Sequence, residues 1–190
     1  MSETAPKAKR GRPRTITRER IAKAGMDIGL PDLTFVGVAT AIGVTQMALY
    51  KHVRNIDELR TLVAEDSFMN WELPDPFEDQ DIESYLKRFA VSMWQLVRTH
   101  PGIAPYLLRR SWITDTMLEK TYAHQRRVAE RFGLRFVQAN TLVFSVAFHC
   151  CAVADASFEE TTMSDEIEPL HSFGVSALIA GALAMTDKDM

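Results

Sequence analysis

The chain has 190 residues, 46% of them hydrophobic, which suits one large domain or a small domain joined to a larger one. No apolar run reaches the roughly 18 residues of a transmembrane helix, the basic N-terminus is unlike a secretory signal, and the only cysteines, Cys150 and Cys151, are adjacent. A cytoplasmic chain with reduced thiols is therefore expected, and a disulfide scaffold is excluded. The formal charge of −3 hides an asymmetry: residues 1–60 carry eleven Lys/Arg against six Asp/Glu, whereas residues 61–190 carry eleven against nineteen. A basic first third on an acidic body points to a nucleic-acid-binding end.

Residues 1–15 are rich in Lys, Arg, Pro and Ala without an apolar period, and a disordered basic arm is expected there. Within it, Arg10-Gly11-Arg12-Pro13-Arg14 resembles the core of an AT-hook. A narrow A·T-rich minor groove attracts arginine, so Arg10, Arg12 and Arg14 are candidate DNA contacts. A solubilising tail is the plainer alternative.

Thr15 or Thr17 can cap a first helix running to about Leu30, with Ile21, Ala24, Ile28 and Leu30 buried and Gly29 and Pro31 ending it. A second helix begins near Phe35 behind Thr34, and a third spans about Thr45 to Val53. Between them, Ala39 precedes Gly43 by four residues. The small residue permits a close helix crossing, and the glycine supplies a positive φ for a sharp turn. Thr45 stands at the next N-cap, and burial of Leu49 and Val53 leaves Gln46, Met47, Tyr50 and Lys51 outward. An ordinary helical hairpin also fits, but the basic setting favours a helix-turn-helix that enters a major groove.

A fourth helix starts at Asn55 or Asp57, carries Leu59, Leu62, Val63 and Phe68 inwards, and stops before Pro74-Asp75-Pro76. The domain boundary is placed within it. From Ile82, the residues Tyr85, Phe89, Met93, Leu96 and Val97 mark one side of a long helix ending at His100-Pro101. A short segment reaches Arg110, and another helix runs from about Asp115 to Phe132, closed by Gly133. Residues 135–158 and 170–185 are apolar and rich in small residues, with an acidic loop over 159–168. No strand alternation persists, so an all-α chain is expected. It comprises a three-helix helix-turn-helix domain (16–60) and a larger helical ligand-binding and dimerisation domain (61–190).

The run Ile42-Gly-Val-Thr-Gln-Met-Ala-Leu-Tyr-Lys-His-Val53 resembles the Leu-Gly-Val…Leu-Tyr-x-His-Val/Phe signature of the TetR family of transcriptional regulators. The resemblance implies a homodimer that represses transcription until a small molecule enters the C-terminal domain. It puts Thr45, Gln46 and Met47 at base edges, Tyr50 and His52 on the sugar-phosphate backbone with Lys51 beside them, and Thr34 on a phosphate. Gln46 suits an adenine edge and Met47 a thymine methyl. Where the family often has a lysine opening the fourth helix this chain has Ile56, with Arg54 or Arg60 as replacements. The body is more weakly similar to the tetracycline-repressor branch. Glu72 and Leu107 stand near that branch's histidines, which offers no support for a magnesium–tetracycline ligand and favours a more apolar effector.

Phe89, Met93, Trp94, Leu107, Trp112, Met117, Tyr122 and Phe144 supply aromatic and Met surface for such a cavity, although core filling explains any one of them. His100, His124 and His149 are candidate polar anchors in it. No cofactor or metal is expected, because His149, Cys150 and Cys151 point about 100° apart on one helix. Ser145, His149, Cys150 and Asp155 lack a third partner or an oxyanion site, so an enzyme is not expected. Helices apolar around much of their circumference need several neighbours. The two C-terminal helices are thus expected to form a four-helix homodimer interface over a palindromic operator, with no membrane involved.

Overall fold

The computed structural model describes residues 16–157 and 164–186, with the side chains of 164–166 and 186 left aside. The arginines of the N-terminal arm, Arg10, Arg12 and Arg14, and the first part of the acidic loop lie outside the described residues. Nine α-helices and one short 3-10 turn account for the described chain, without a strand. The all-α reading holds.

Helix α1 (Arg18–Ile28) is capped by the Thr17 hydroxyl, which accepts from the Arg20 amide. It ends two residues earlier than the periodicity suggests, because Gly29 takes φ 89° and returns its N–H to Gly25. Helices α2 (Phe35–Ile42) and α3 (Gln46–Leu49) follow, each behind a threonine cap. The third helix was expected to reach Val53, but regular helix stops at Leu49 and the next residues form turns. Its hydrogen bonding still continues locally, with the Val53 amide donating to the Leu49 carbonyl. Helix α4 (Ile56–Asn70) opens on Asn55, whose side chain accepts from Glu58 N–H, and closes at Trp71.

α4 packs along α1 at one end and against α7 at the other. At the first crossing Gly25 faces Val63, and a Cβ on Gly25 would overlap the Val63 methyl. Pro76–Glu78 forms the 3-10 turn, and α5 (Ile82–Thr99) runs through the centre of the body. Its buried side carries Tyr85, Leu86, Phe89, Ala90, Met93, Trp94, Leu96 and Val97. After α6 (Ala104–Leu108) come α7 (Asp115–Phe132), α8 (Phe136–Ser157) and α9 (Ser164–Thr186). The loop expected over 159–168 is therefore helical from Ser164, with Pro169 tolerated inside the helix.

α8 lies against α5, α6, α7 and α9, which explains its apolar circumference. Two helical stretches, Phe136–Ser157 and Ile167–Met185, are long and apolar enough to cross a membrane, contrary to the sequence expectation. Their packing on α5 and on each other also fits core helices of a bundle. Only a minority of each is buried in the single chain.

Candidate nucleic-acid interface and ligand cavity

The turn between α2 and α3 is built as its residues demand. Gly43 adopts φ 73°, ψ 40°, a left-handed conformation that costs a side-chain-bearing residue about 1 kcal/mol or more. The Gly43 and Val44 amides return to carbonyls at the end of α2, satisfying its last turn. Ala39, Leu49 and Val53 are buried beneath the turn. The Thr45 hydroxyl accepts from the Ala48 amide at 3.2 Å, and the Thr34 hydroxyl accepts from Gly37 at 3.0 Å. Both threonines are thus held at helix N-termini, where backbone N–H groups favour an anion.

Gln46, Met47, Tyr50 and Lys51 are exposed, and His52 is half-buried. Met47 is 73% exposed. Tyr50 stacks on Phe35 with ring centroids 4.4 Å apart and planes inclined by 13°, which fixes its direction. Two α1 residues that the sequence did not single out brace this unit: Arg20 donates to the Ile42 carbonyl and Arg18 to the His52 carbonyl. Ile56 packs partly buried against the core. Of its proposed replacements, Arg54 pairs with Glu58 at 3.0 Å yet stays exposed, whereas Arg60 sits by Pro31 and Tyr106 at the junction with the body.

In the body, α4, α5, α6, α7 and α8 enclose a cavity of about 310 Å³. Phe89, Met93, Leu107, Met117, Tyr122, Phe144 and His124 line it. Trp94, Trp112, His149 and His100 do not. Trp94 stacks on His171 of α9 at 3.9 Å, because it lies about 100° around α5 from Met93. Trp112 stacks on Tyr106 and under Arg109 at the junction. His149 is pressed against Gly174 of α9, and His100 lines a separate cleft between α4 and α5.

The wall also includes residues the sequence did not single out, among them Phe68, Trp71, Thr121, Gln125, Asn140 and the cationic Arg110. No carboxylate is among the lining residues, so nothing there would balance a cationic ligand. Burial pushes the His124 imidazole down to about 4, so at neutral pH it is uncharged, and its Nε2 shares a hydrogen bond with the Tyr85 hydroxyl at 2.6 Å. Gln125 is 1% exposed, and its Oε1 has no hydrogen-bond partner among the described residues. Leaving a buried acceptor unpaired costs roughly 1–3 kcal/mol, a cost that a ligand donor would relieve.

The Cys150 thiol, pushed up to about 12 by burial, is a poor nucleophile. No group of three or more His, Cys, Asp or Glu is placed to share a metal among the described residues.

Val137, Thr141, Phe144 and Phe148 form an exposed stripe on α8, of which Phe144 and Phe148 also line the cavity. Phe173, Ala177, Ala180 and Ala184 form an exposed stripe on α9. Phe173 is 74% exposed.

No protein-family model matches the chain, and no curated protein matches it. Solved structures do. A single-residue variant of TetR from Acinetobacter baumannii AYE, in complex with minocycline, superimposes with a TM-score of 0.73 at 20% identity, covering 90% of this chain and 98% of that one. The TetR family protein ActR of Streptomyces coelicolor, in complex with (S)-DNPA, gives 0.73 at 18% identity with the same coverages. ActR in complex with actinorhodin gives 0.66 at 19%, covering 89% of this chain and 96% of that one. A likeness over nearly whole chains at such low identity speaks for architecture: this chain has the TetR-family fold.

Proposed function

We propose that the chain is a homodimeric, sequence-specific DNA-binding repressor, released from its operator by a small molecule in the body cavity. The observation that carries this reading is the exposed start of α3 behind the Gly43 turn, with Gln46 and Met47 free to meet a major groove. Residues 16–60 form the reading unit and 61–190 the effector and dimer unit. Thr45, Gln46 and Met47 read base edges, while Thr34, Tyr50, Lys51 and His52 hold the sugar-phosphate backbone. Arg10, Arg12 and Arg14 of the arm enter the adjacent minor groove.

The effector is small and largely apolar, with a hydrogen-bond donor directed at Gln125 and no cationic group, while Arg110 in the lining would accept an acidic one. The apolar lining, the absence of a lining carboxylate and the unpartnered Gln125 oxygen support that chemistry. The ligand-bound state of the similar TetR and ActR structures supports a small-molecule effector in general terms. The exposed α8 and α9 stripes support dimerisation, which would carry two copies of α3 to successive major grooves about 34 Å apart.

Titration of the full chain against its own upstream intergenic DNA and an unrelated duplex, at physiological salt, tests the reading. Tighter binding to the upstream duplex is expected, by about a thousandfold or more. Equal affinity for both would leave only an architectural DNA-binding protein.

A further inference from the structure

Lys120 projects from α7 to the far end of α4, and its ammonium donates to three backbone carbonyls there. The distances are 2.9 Å to Phe68, 2.8 Å to Met69 and 2.6 Å to Trp71. All three of its N–H donors are thereby used. The carbonyls of a last helical turn lack i+4 partners and carry the negative end of the helix dipole. Of the three, the Phe68 carbonyl also accepts a capping bond, from the Trp71 amide. The same ammonium lies 5.4 Å from the centroid of the Phe68 ring. A surface lysine is ordinarily a mobile, solvated charge, whereas this one is half-buried and fixed.

What it joins gives the interaction its meaning. Phe68 and Trp71, whose carbonyls it holds, are walls of the cavity, as are Met117 and Thr121 on either side of it on α7. Anything that moves one wall relative to the other strains the clamp. A displacement of about 1 Å takes these bonds beyond hydrogen-bonding reach. Midway along α4, Val63 meets α1 at Gly25, where the two helices approach too closely to admit a Cβ. Carbonyl partners, unlike a buried carboxylate, leave no unpaired opposite charge when the lysine withdraws, so the clamp can open and close.

We propose that Lys120 is the positioning residue that couples the cavity to the DNA-facing helices, by gripping the C-terminal turn of α4. Its purpose rests on the ligand-responsive reading above, but its test needs neither DNA nor effector, so the two can fail separately. Ala147, on the α8 wall of the cavity, is replaced by Phe as a built-in filler. Hydrogen exchange of α1 amides is then followed in the full chain, with Lys120 present and with Lys120→Met.

With Lys120 present, Ala147→Phe is expected to change α1 exchange by about fivefold or more, the usual lower range of coupling between sites. In the Lys120→Met background the same substitution should change it less than about twofold. A purely structural lysine would instead give equal responses in both backgrounds, since independent effects add. Equal responses, or no response in either background, overturns the proposal. If the Met variant does not fold, judged by circular dichroism, Lys120→Gln replaces it in the same cycle and is read by the same criterion.

Discussion

The surface of α3 separates affinity from stability at the scale of single residues. Gln46 and Met47 are exposed and contribute little to the fold. Gln46→Ala and Met47→Ala should each leave stability within about 0.5 kcal/mol. On the proposed reading, removing either side chain should weaken specific DNA binding by about 1–3 kcal/mol, roughly five- to 150-fold. Fluorescence anisotropy beside thermal melts reads both quantities. Affinity falling only in step with stability would mean that these side chains support the fold rather than read bases.

His124 gives a second residue-scale test, with the opposite emphasis. Its folded pKa, about 4, lies below the ordinary histidine value of 6.5, because burial disfavours the imidazolium. The unfolded chain therefore binds the proton more readily. The stabilisation is fully present above pH 6.5 and is lost as pH falls towards 4. Between pH 6.5 and 5 the loss attributable to His124 is on the order of 1–2 kcal/mol. His124→Gln, which retains a hydrogen-bonding partner for the Tyr85 hydroxyl, should flatten that part of the acid dependence in denaturant melts. His100 and His171 are also pushed down by burial and would supply the slope that remains. An unchanged slope in the variant would exclude His124 as a contributor.

At the scale of elements, α1 and α4 pack against each other, and Gly25 sets how closely they approach. A Cβ there would overlap Val63, and Leu33 lies 3.3 Å away on another side. Gly25→Ala should destabilise by about 1–3 kcal/mol through overpacking, despite its better helix propensity. A rise in the melting temperature would show the crossing to be looser than its geometry implies.

The legibility of the elements followed the same logic of neighbours. The caps Thr17, Thr34, Thr45 and Asn55 and the terminator Gly133 are local signals, and each stands where the sequence implies. The amphipathic α5 showed which way Phe89 and Met93 face, because its polar and apolar sides differ. α8 and α9 have no such contrast. Nothing in their patterns distinguished the side of His149 that meets α9 from the side that lines the cavity. Gln125 was illegible for another reason: a polar residue on a helix reads as solvated until its neighbours are placed. The length of α3 was overestimated because its four residues are set by the turn beneath them, not by a period.

The whole molecule turns on what covers α8 and α9. Val137, Thr141, Phe144 and Phe148 recur at four, three and four along α8, and Phe173, Ala177, Ala180 and Ala184 recur at the same spacing along α9. That spacing keeps each set on one side of its helix. The small residues on α9 allow another helix to approach closely, while Phe148 and Phe173 supply bulk to bury. A membrane is the competing cover for helices this apolar, but it needs each helix to expose its apolar surface all round. Here α8 packs on α5, α6, α7 and α9, which leaves one stripe rather than a circumference. On the dimeric reading proposed above, a second copy of the chain would cover such stripes in a two-fold four-helix arrangement. Phe173→Glu should therefore convert a dimer into a particle of the chain mass, 21.5 kDa, in sedimentation equilibrium at micromolar concentration. It should also weaken operator binding by about a hundredfold or more, because the second reading helix loses its tether to the first. An unsubstituted chain that already sediments at 21.5 kDa would refute the dimer, and with it the two-helix reading of a palindromic operator.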